Sequence, residues 1–239
     1  MDSIKLRNIK MKLKIVNGYL NCFIASFLLL SVACSKDEPK DGSIDLGYDF
    51  YPIDSGWVRV YQVDSIAFDD NSQTIDTFQF ILKENTEGKI KGQNLDGYQI
   101  VNRLVQTDSN QITHIRSSIF LMKTQNNLQR IEDNVCVVKL VFPIGNTTSW
   151  NGNMLNNLGR RTFTMQNIGK PFVNGDTIFN NCITVQEALT NNLVEEILVK
   201  SIYCKGLGLV DFTNNYINTQ QTGKSGYKIH QQLKYYYRP

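Results

Sequence analysis

The chain has 239 residues, is 41% hydrophobic and 10% aromatic, and carries a formal net charge of +3. That composition lies outside the disordered class and can supply the core of one large β domain or two small ones. Five of the 25 Lys and Arg residues precede Cys34, so the rest is near neutral, with 20 basic and 21 acidic residues, and gives no electrostatic reason for a nucleic-acid partner.

Residues 1–33 read as a cleaved signal sequence. Lys5, Arg7, Lys10, Lys12 and Lys14 form a basic region, and the apolar run CFIASFLLLSVA follows from Cys22 to Ala33. Its 12 residues fall short of the roughly 20 that a membrane-spanning helix needs. Met11 offers a second start after Met1 and would leave a signal of more ordinary length. Ser31-Val32-Ala33-Cys34 resembles a bacterial lipobox, although the usual leucine, here Leu30, stands four before the cysteine and not three. The resemblance implies a thioether-linked diacylglycerol on Cys34 and a further acyl chain, such as palmitate, on its amine. One acyl chain holds a protein at a membrane only marginally, and two or more hold it stably.

Solvent preference changes abruptly after Cys34. Ser35-Lys36-Asp37-Glu38 resembles the export signal of Bacteroidota surface lipoproteins, a lysine followed by two acids beside the modified cysteine. That implies an outer-membrane lipoprotein on the cell surface, with the periplasmic face of the outer membrane as the alternative address. Pro39 and Gly42 also suit residues 34–46 to a flexible tether.

From residue 47 to 239 the periodicity is that of strands. In Trp57–Phe68, Val58, Val60, Ile66 and Phe68 share one face, and Trp57, Tyr61 and Val63 the other. Asp69-Asp70-Asn71-Ser72 then reads as a turn, and Phe78, Phe80 and Leu82 alternate after it. Val135–Phe142 is apolar on both faces apart from Lys139, which predicts a central strand ending at Pro143. Thr147–Gly159 fits no strand, and Trp150 within it is a candidate lid or plug for the open side of the sheet. Asn174-Gly175 is the strongest hairpin signal, and the Asn-Asn pairs starting at 126, 156, 180, 191 and 214 read as further turns. Ile183, Val185 and Leu189, then Ile197, Val199 and Tyr203, and finally Tyr227, Ile229, Leu233, Tyr235 and Tyr237 complete the alternation. The reading is an all-β domain: a single antiparallel, strongly curved sheet of about ten strands, a half-barrel, with a lipocalin-like closed barrel as the alternative.

Catalytic patterns are missing. His114 and His230 are far apart, no Cys-x-x-Cys or helical His pair suggests zinc, and no Gly-x-Ser-x-Gly elbow occurs. Asn218–Ser225 mimics a phosphate-binding loop without its first glycine, and strand-like alternation follows it where a helix is required, so it reads as a hairpin loop. Glu195 and Glu196 point to opposite faces of a strand and cannot pair as acid and base. Hence no catalytic residue, metal ligand or cofactor is assigned, and a non-enzyme is expected. Cys136, Cys182 and Cys204 read as buried, unreactive thiols, with a Cys182–Cys204 bridge left open. Asp64-Ser65-Ile66 and Asp176-Thr177-Ile178 resemble the O-glycosylation pattern of exported Bacteroidota proteins, which makes Ser65 and Thr177 candidate acceptors.

Three groups of motifs recur in order. Tyr51-Pro52 precedes Gly56-Trp57 and Tyr61–Ile66; Lys139–Pro143 precedes Trp150–Asn153; and Tyr203-Cys204-Lys205-Gly206-Leu207-Gly208-Leu209-Val210 precedes Gly226-Tyr227. In this the chain resembles a family of Bacteroidota surface lipoproteins with no assigned activity, over about residues 47 to 238. Cys204 stands where that family usually has alanine. The Lys-Gly-x-Gly-Leu-Val signature is also similar to that of lipoprotein-carrier half-barrels, whose curved sheet offers an apolar concave face, although fold alone does not give function. Two functions follow as expectations. One is a membrane-anchored binding module for an apolar or mixed ligand. The other is a structural or interaction subunit of a cell-surface assembly, docked on protein partners and holding no small molecule. An open cleft of about 300 Å³ or more separates the first from the second.

Overall fold

A computed structural model describes residues 45–91, 97–106 and 113–238. A short 3-10 turn at Tyr48–Phe50 leads into twelve strands. These are β1 (Val58–Asp69), β2 (Thr74–Lys89), β3 (Gln99–Gln106), β4 (Thr113–Lys123), β5 (Asn127–Glu132) and β6 (Val135–Val141). Then come β7 (Ser149–Asn151), β8 (Thr162–Asn174), β9 (Thr177–Asn191), β10 (Glu195–Cys204), β11 (Gly208–Gln220) and β12 (Gly223–Tyr237). All belong to one antiparallel sheet in the order β6-β5-β4-β3-β2-β1-β12-β11-β10-β9-β8-β7, nearly closed into a barrel. The all-β reading of one strongly curved antiparallel sheet holds, with twelve strands against about ten expected, and the near closure also admits the barrel alternative. β7, three residues long, falls in the segment expected to be irregular.

Alternation builds the interior. Tyr61 on β1 stands opposite Leu82 on β2, and Leu82 opposite Val105 on β3, so one face of three neighbouring strands forms a continuous apolar row. Turn chemistry joins the strands as expected in four places. The Asp69 carboxylate accepts from the Asn71 N–H (2.9 Å) and the Ser72 hydroxyl (2.8 Å) between β1 and β2. Asn192 Oδ1 accepts from the N–H groups of Val194 and Glu195, both at 2.9 Å. Asn126 lies in the β4–β5 turn, and Asn174 faces Thr177 across a two-residue loop. The pairs at 180 and 214 are not turns. Asn181 adopts positive φ, 54°, inside β9 and bends that strand, whereas Asn214 pairs in register with Ile229 in the middle of β11.

Residues 135–142 correct the expectation of a central strand. They form β6, at one end of the sheet, and the strand stops before Pro143 as expected. Both faces of β6 pack against the core, Val138 and Leu140 fully and Val137 and Val141 in part, and its free edge is covered as well. The Val138 N–H donates to Gly152 O (2.9 Å) just beyond β7, and the Trp150 indole N–H donates to Val138 O (2.9 Å). Trp150 is buried and packs edge-on to Phe163, with ring centroids 5.9 Å apart. It closes the seam between the two ends of the sheet. Gly152 permits this approach, because a Cβ there would meet the Phe163 ring at 2.5 Å.

The β8–β9 hairpin is bent where Asn167, Gly169 and Asn181 take positive φ. Its far part folds back: Phe172 and Phe179 pack in a cluster with Ile202, Cys204 and Val210, and Gln232 donates to Asn174 Oδ1 at 2.8 Å. At the root of this arm, Cys182 and Cys204 are directly opposed in register and form a disulfide, leaving Cys136 as the free thiol among the described residues. The expected unpaired thiols are corrected here: direct opposition on adjacent strands brings the two sulfurs within bonding reach. Constraining the unfolded chain over a loop of this size is worth about 3 kcal/mol. Replacing both Cys182 and Cys204 by alanine is therefore expected to lower the denaturant midpoint by that equivalent. Identical midpoints for oxidised wild type and the double variant would show that the bridge contributes nothing.

Candidate binding cavity

One end of the barrel carries the β4–β5 and β10–β11 turns, and residues 45–57 run across it. The Tyr48 hydroxyl donates to Gln125 O (2.9 Å), Lys123 Nζ donates to Tyr48 O (2.6 Å), and the Gly206 N–H donates to Asp49 O (2.7 Å). Phe50 and Tyr51 are buried beneath this crossing. Arg59, 1% exposed, locks it. Its guanidinium donates to Leu207 O (2.8 Å) and Pro52 O (2.6 Å), and lies 5.1 Å from the Tyr51 ring centroid and 5.3 Å from that of Trp57. Gly208 has φ +89°, and a Cβ there would come within 3.2 Å of Arg59 Nε. Gly208 thus makes room for an arginine.

Above this floor is a cavity of about 560 Å³. Val63, Phe80, Leu82, Ile229 and Phe212 form an apolar wall. The facing side is charged, with Arg103, Arg130, Lys139, Glu132 and Asp133 at the surface of the cavity. Strand register explains the charges. Glu84 and Arg103 are direct partners on β2 and β3, and Arg130 is the partner of Leu121 on β4. Arg103 Nε lies 3.5 Å from Glu84, Arg103 Nη1 2.5 Å from Glu132 Oε1, and Arg130 Nη2 2.8 Å from Glu132 Oε2. Burial works to raise the Glu132 carboxyl, but Arg130 and Arg103 hold it below the usual carboxylate range. Glu84 is 1% exposed, and neither of its oxygens accepts a hydrogen bond among the described residues. On the other side of the interior, Lys139 Nζ lies 2.5 Å from Glu187 Oε1, which also accepts from the Ser201 hydroxyl (2.7 Å). Burial works to raise Glu187 as well, yet Lys139 and Ser201 keep it below the ordinary range. These interior charges carry the site, and the motif search passed over all but Lys139. The available signal was a charged residue interrupting one alternating face, as Arg103 does between Val101 and Val105.

Among the described residues, none of the candidate site residues assigned from sequence lies at the cavity surface, which is lined by members of the alternating strands such as Val63, Phe80, Leu82 and Ile229 and by Lys139. Cys34, Ser35, Lys36, Asp37 and Glu38 lie outside the described residues, as does the His114 side chain. Trp150 is in the seam. Ser65 is half-buried in mid-β1, on the face that carries Val63, and Thr177 is exposed beside the hairpin loop. Asn218–Ser225 is a hairpin end, with Gln220 paired to Gly223. Among the described residues no cluster of three or more His, Cys, Asp or Glu side chains could hold a metal ion, and no helix is long and apolar enough to cross a membrane.

No family model matches the chain, and no curated protein matches it. One similar solved structure is that of a candidate exported protein with a YmcC-like fold from Bacteroides fragilis. It is 10% identical, covers 78% of this chain and 99% of that chain, and gives a TM-score of 0.30, too low to carry any argument.

His230 lies on the opposite face of β12 from the cavity-lining Ile229 and Gln231. Its Nε2 is 2.7 Å from the buried Asp211 carboxylate. The bond to Asp211 raises the imidazole above its usual range against the opposing effect of burial, with Asp64 adding to the rise and Lys200 opposing it. The folded state thus binds the proton more tightly than the unfolded state. The resulting stabilisation is full below the unfolded pKa of about 6.5 and is lost as pH rises through the folded value. Unfolding free energy measured from pH 5 to 9 is expected to fall over that window in wild type and to lose this step in His230→Gln. The same slope in both proteins would show that His230 is uncoupled from folding.

Proposed function

We propose that this chain is a lipid-anchored, non-catalytic binding module of the outer membrane, displayed at the cell surface, which holds an apolar or mixed small molecule inside its barrel. The observation that supports it is the cavity of about 560 Å³, within the range of small-molecule sites and above the roughly 300 Å³ that separates a binder from a filled interaction subunit. Its lining pairs an apolar wall with a few convergent polar groups, the usual division between affinity and orientation. The anchor rests on the lipobox resemblance at Cys34, and the address on Ser35–Glu38. A second reading, docking on surface proteins, is favoured by one observation: Leu189, Leu193 and Val194 are exposed around the β9–β10 turn, Leu193 at 96%.

Two measurements test the proposal. The neutral dye Nile red is expected to bind the wild-type chain saturably. Ser117→Trp, which places an indole in the cavity, is expected to abolish that binding while leaving the melting temperature within a few degrees. Equal dye binding by both proteins would remove the cavity as the ligand site. For the anchor, Cys34→Ala is expected to leave the chain without metabolically incorporated acyl label. Labelling equal to wild type would overturn the lipobox assignment.

A further inference from the structure

Glu132 stands apart from the other carboxylates of the interior. Glu84 and Glu187 are buried behind the cavity surface, whereas the Glu132 side chain is 37% exposed. It is the last residue of β5, followed by Asp133 and Asn134, which make the turn with positive φ, 50° and 62°. From that strand end its two oxygens reach two guanidinium groups, those of Arg103 and Arg130. Arg130 meets one oxygen through both Nε (3.2 Å) and Nη2 (2.8 Å), two charge-assisted contacts converging on a single acceptor. Glu132 can turn outward to water, but the arginines it neutralises cannot. They rise from mid-strand and face a cavity whose other wall is apolar.

We propose that Arg103 and Arg130 form the headgroup site for an amphiphile bearing one anionic group, and that Glu132 occupies this site while it is empty. This deepens the binding reading above and rests on it. The charge arrangement selects the sign of the ligand. With Glu132 turned out, two guanidinium groups remain against the single carboxylate of Glu84, which accepts no hydrogen bond of its own among the described residues. Lys139 at the cavity surface is already paired with Glu187 and adds no free charge. A cationic headgroup would meet the two guanidinium groups at close range, and a neutral one would leave them with only Glu84 as a counter-charge. An acid group restores both the charge balance and the hydrogen bonds that Glu132 gives up. The apolar part of the ligand then lies along Val63, Phe80 and Ile229. The same face of the sheet continues to Phe78 and Tyr227, which are 55% and 38% exposed and form an apolar path to the open end.

The test holds the chain of the ligand constant and changes only its head. Oleate, oleyl alcohol and oleylamine, each below its critical micelle concentration, compete with Nile red for the full-length chain. Oleate is expected to displace the dye about tenfold more tightly than oleyl alcohol, the equivalent of one charge-assisted hydrogen bond, and oleylamine is expected to be the weakest. Glu132→Gln removes the internal competitor. It is expected to tighten oleate several-fold while leaving oleyl alcohol unchanged, a split that a merely structural role for Glu132 would not produce. Equal affinity of wild type for oleate and oleyl alcohol would overturn the headgroup assignment and leave the cavity as a ligand site. A preference for oleylamine would overturn it too, and so would a Glu132→Gln variant whose affinities move together. Saturable Nile red binding that none of the three ligands displaces overturns the headgroup assignment alone. No saturable Nile red binding at all removes both this inference and the binding reading.

Discussion

The closed end of the barrel depends on one buried cation. Arg59 belongs to β1, its two acceptors belong to residue 52 and to the β10–β11 turn, and its aromatic neighbours are Tyr51 and Trp57. A guanidinium is less strongly hydrated than an ammonium and offers five donors in a plane. It can therefore be buried if carbonyls meet its edge and rings its faces, and both conditions are satisfied. The carbonyls of Pro52 and Leu207 gain a partner that no strand could supply. The start of β1 and the segment just before it are pinned to a turn 148 residues further along, so the floor of the cavity is set before the walls are considered. A lysine could not replace it, because a point charge cannot fork to two carbonyls while lying between two rings.

Strand content was legible because a period of two is hard to imitate, and the β1, β8–β9 and β11–β12 elements follow directly from alternation and turn chemistry. The position of a strand in the sheet is another matter. Val135–Val141 is apolar on both faces, which in most sheets marks the centre, yet β6 is an end strand. Local pattern reports that a strand is covered and not by what. Here the cover is Trp150 and the backbone of Gly152, and neither can be inferred from β6 itself. The Asn-Asn pairs show the same limit. Asparagine tolerates positive φ wherever it occurs, so Asn181 uses that freedom to bend a strand and Asn126 to reverse the chain. The interior charges were least legible, since Arg103, Arg130 and Glu132 resemble surface residues until the register places them on one face.

An unclosed sheet of twelve strands would expose two edges, each a template for pairing with another chain. The seam covers the middle of the β6 edge with few bonds. Val138 is used twice, its N–H by Gly152 and its carbonyl by the Trp150 indole. β7 is only three residues long, so the seam is a short contact and not a full ladder. Trp150 supplies by its side chain what a twelfth pairing would have supplied by backbone, and its ring fills space next to Phe163 at the same time. The cost falls on position 152, where any side chain would meet that ring.

The interior is neither a filled core nor an oily pocket. A barrel built only to be stable would fill the space with branched aliphatic residues, since replacing a buried ion pair by well-packed apolar groups is usually neutral or favourable. This chain instead keeps Glu84, Arg103, Arg130, Glu132, Lys139 and Glu187 inside, arranged as one group of four and one pair. The Lys139–Glu187 pair joins β6 to β9 and so strengthens the seam from within, which gives it a structural reason to exist. The Arg103–Glu132–Arg130 group has no such reason. It joins β3 to β5, strands already held through β4, and it stands at the surface of an open volume. Charges that do not bridge otherwise separate elements, and that border empty space, are better explained by what enters the space than by the stability of the wall.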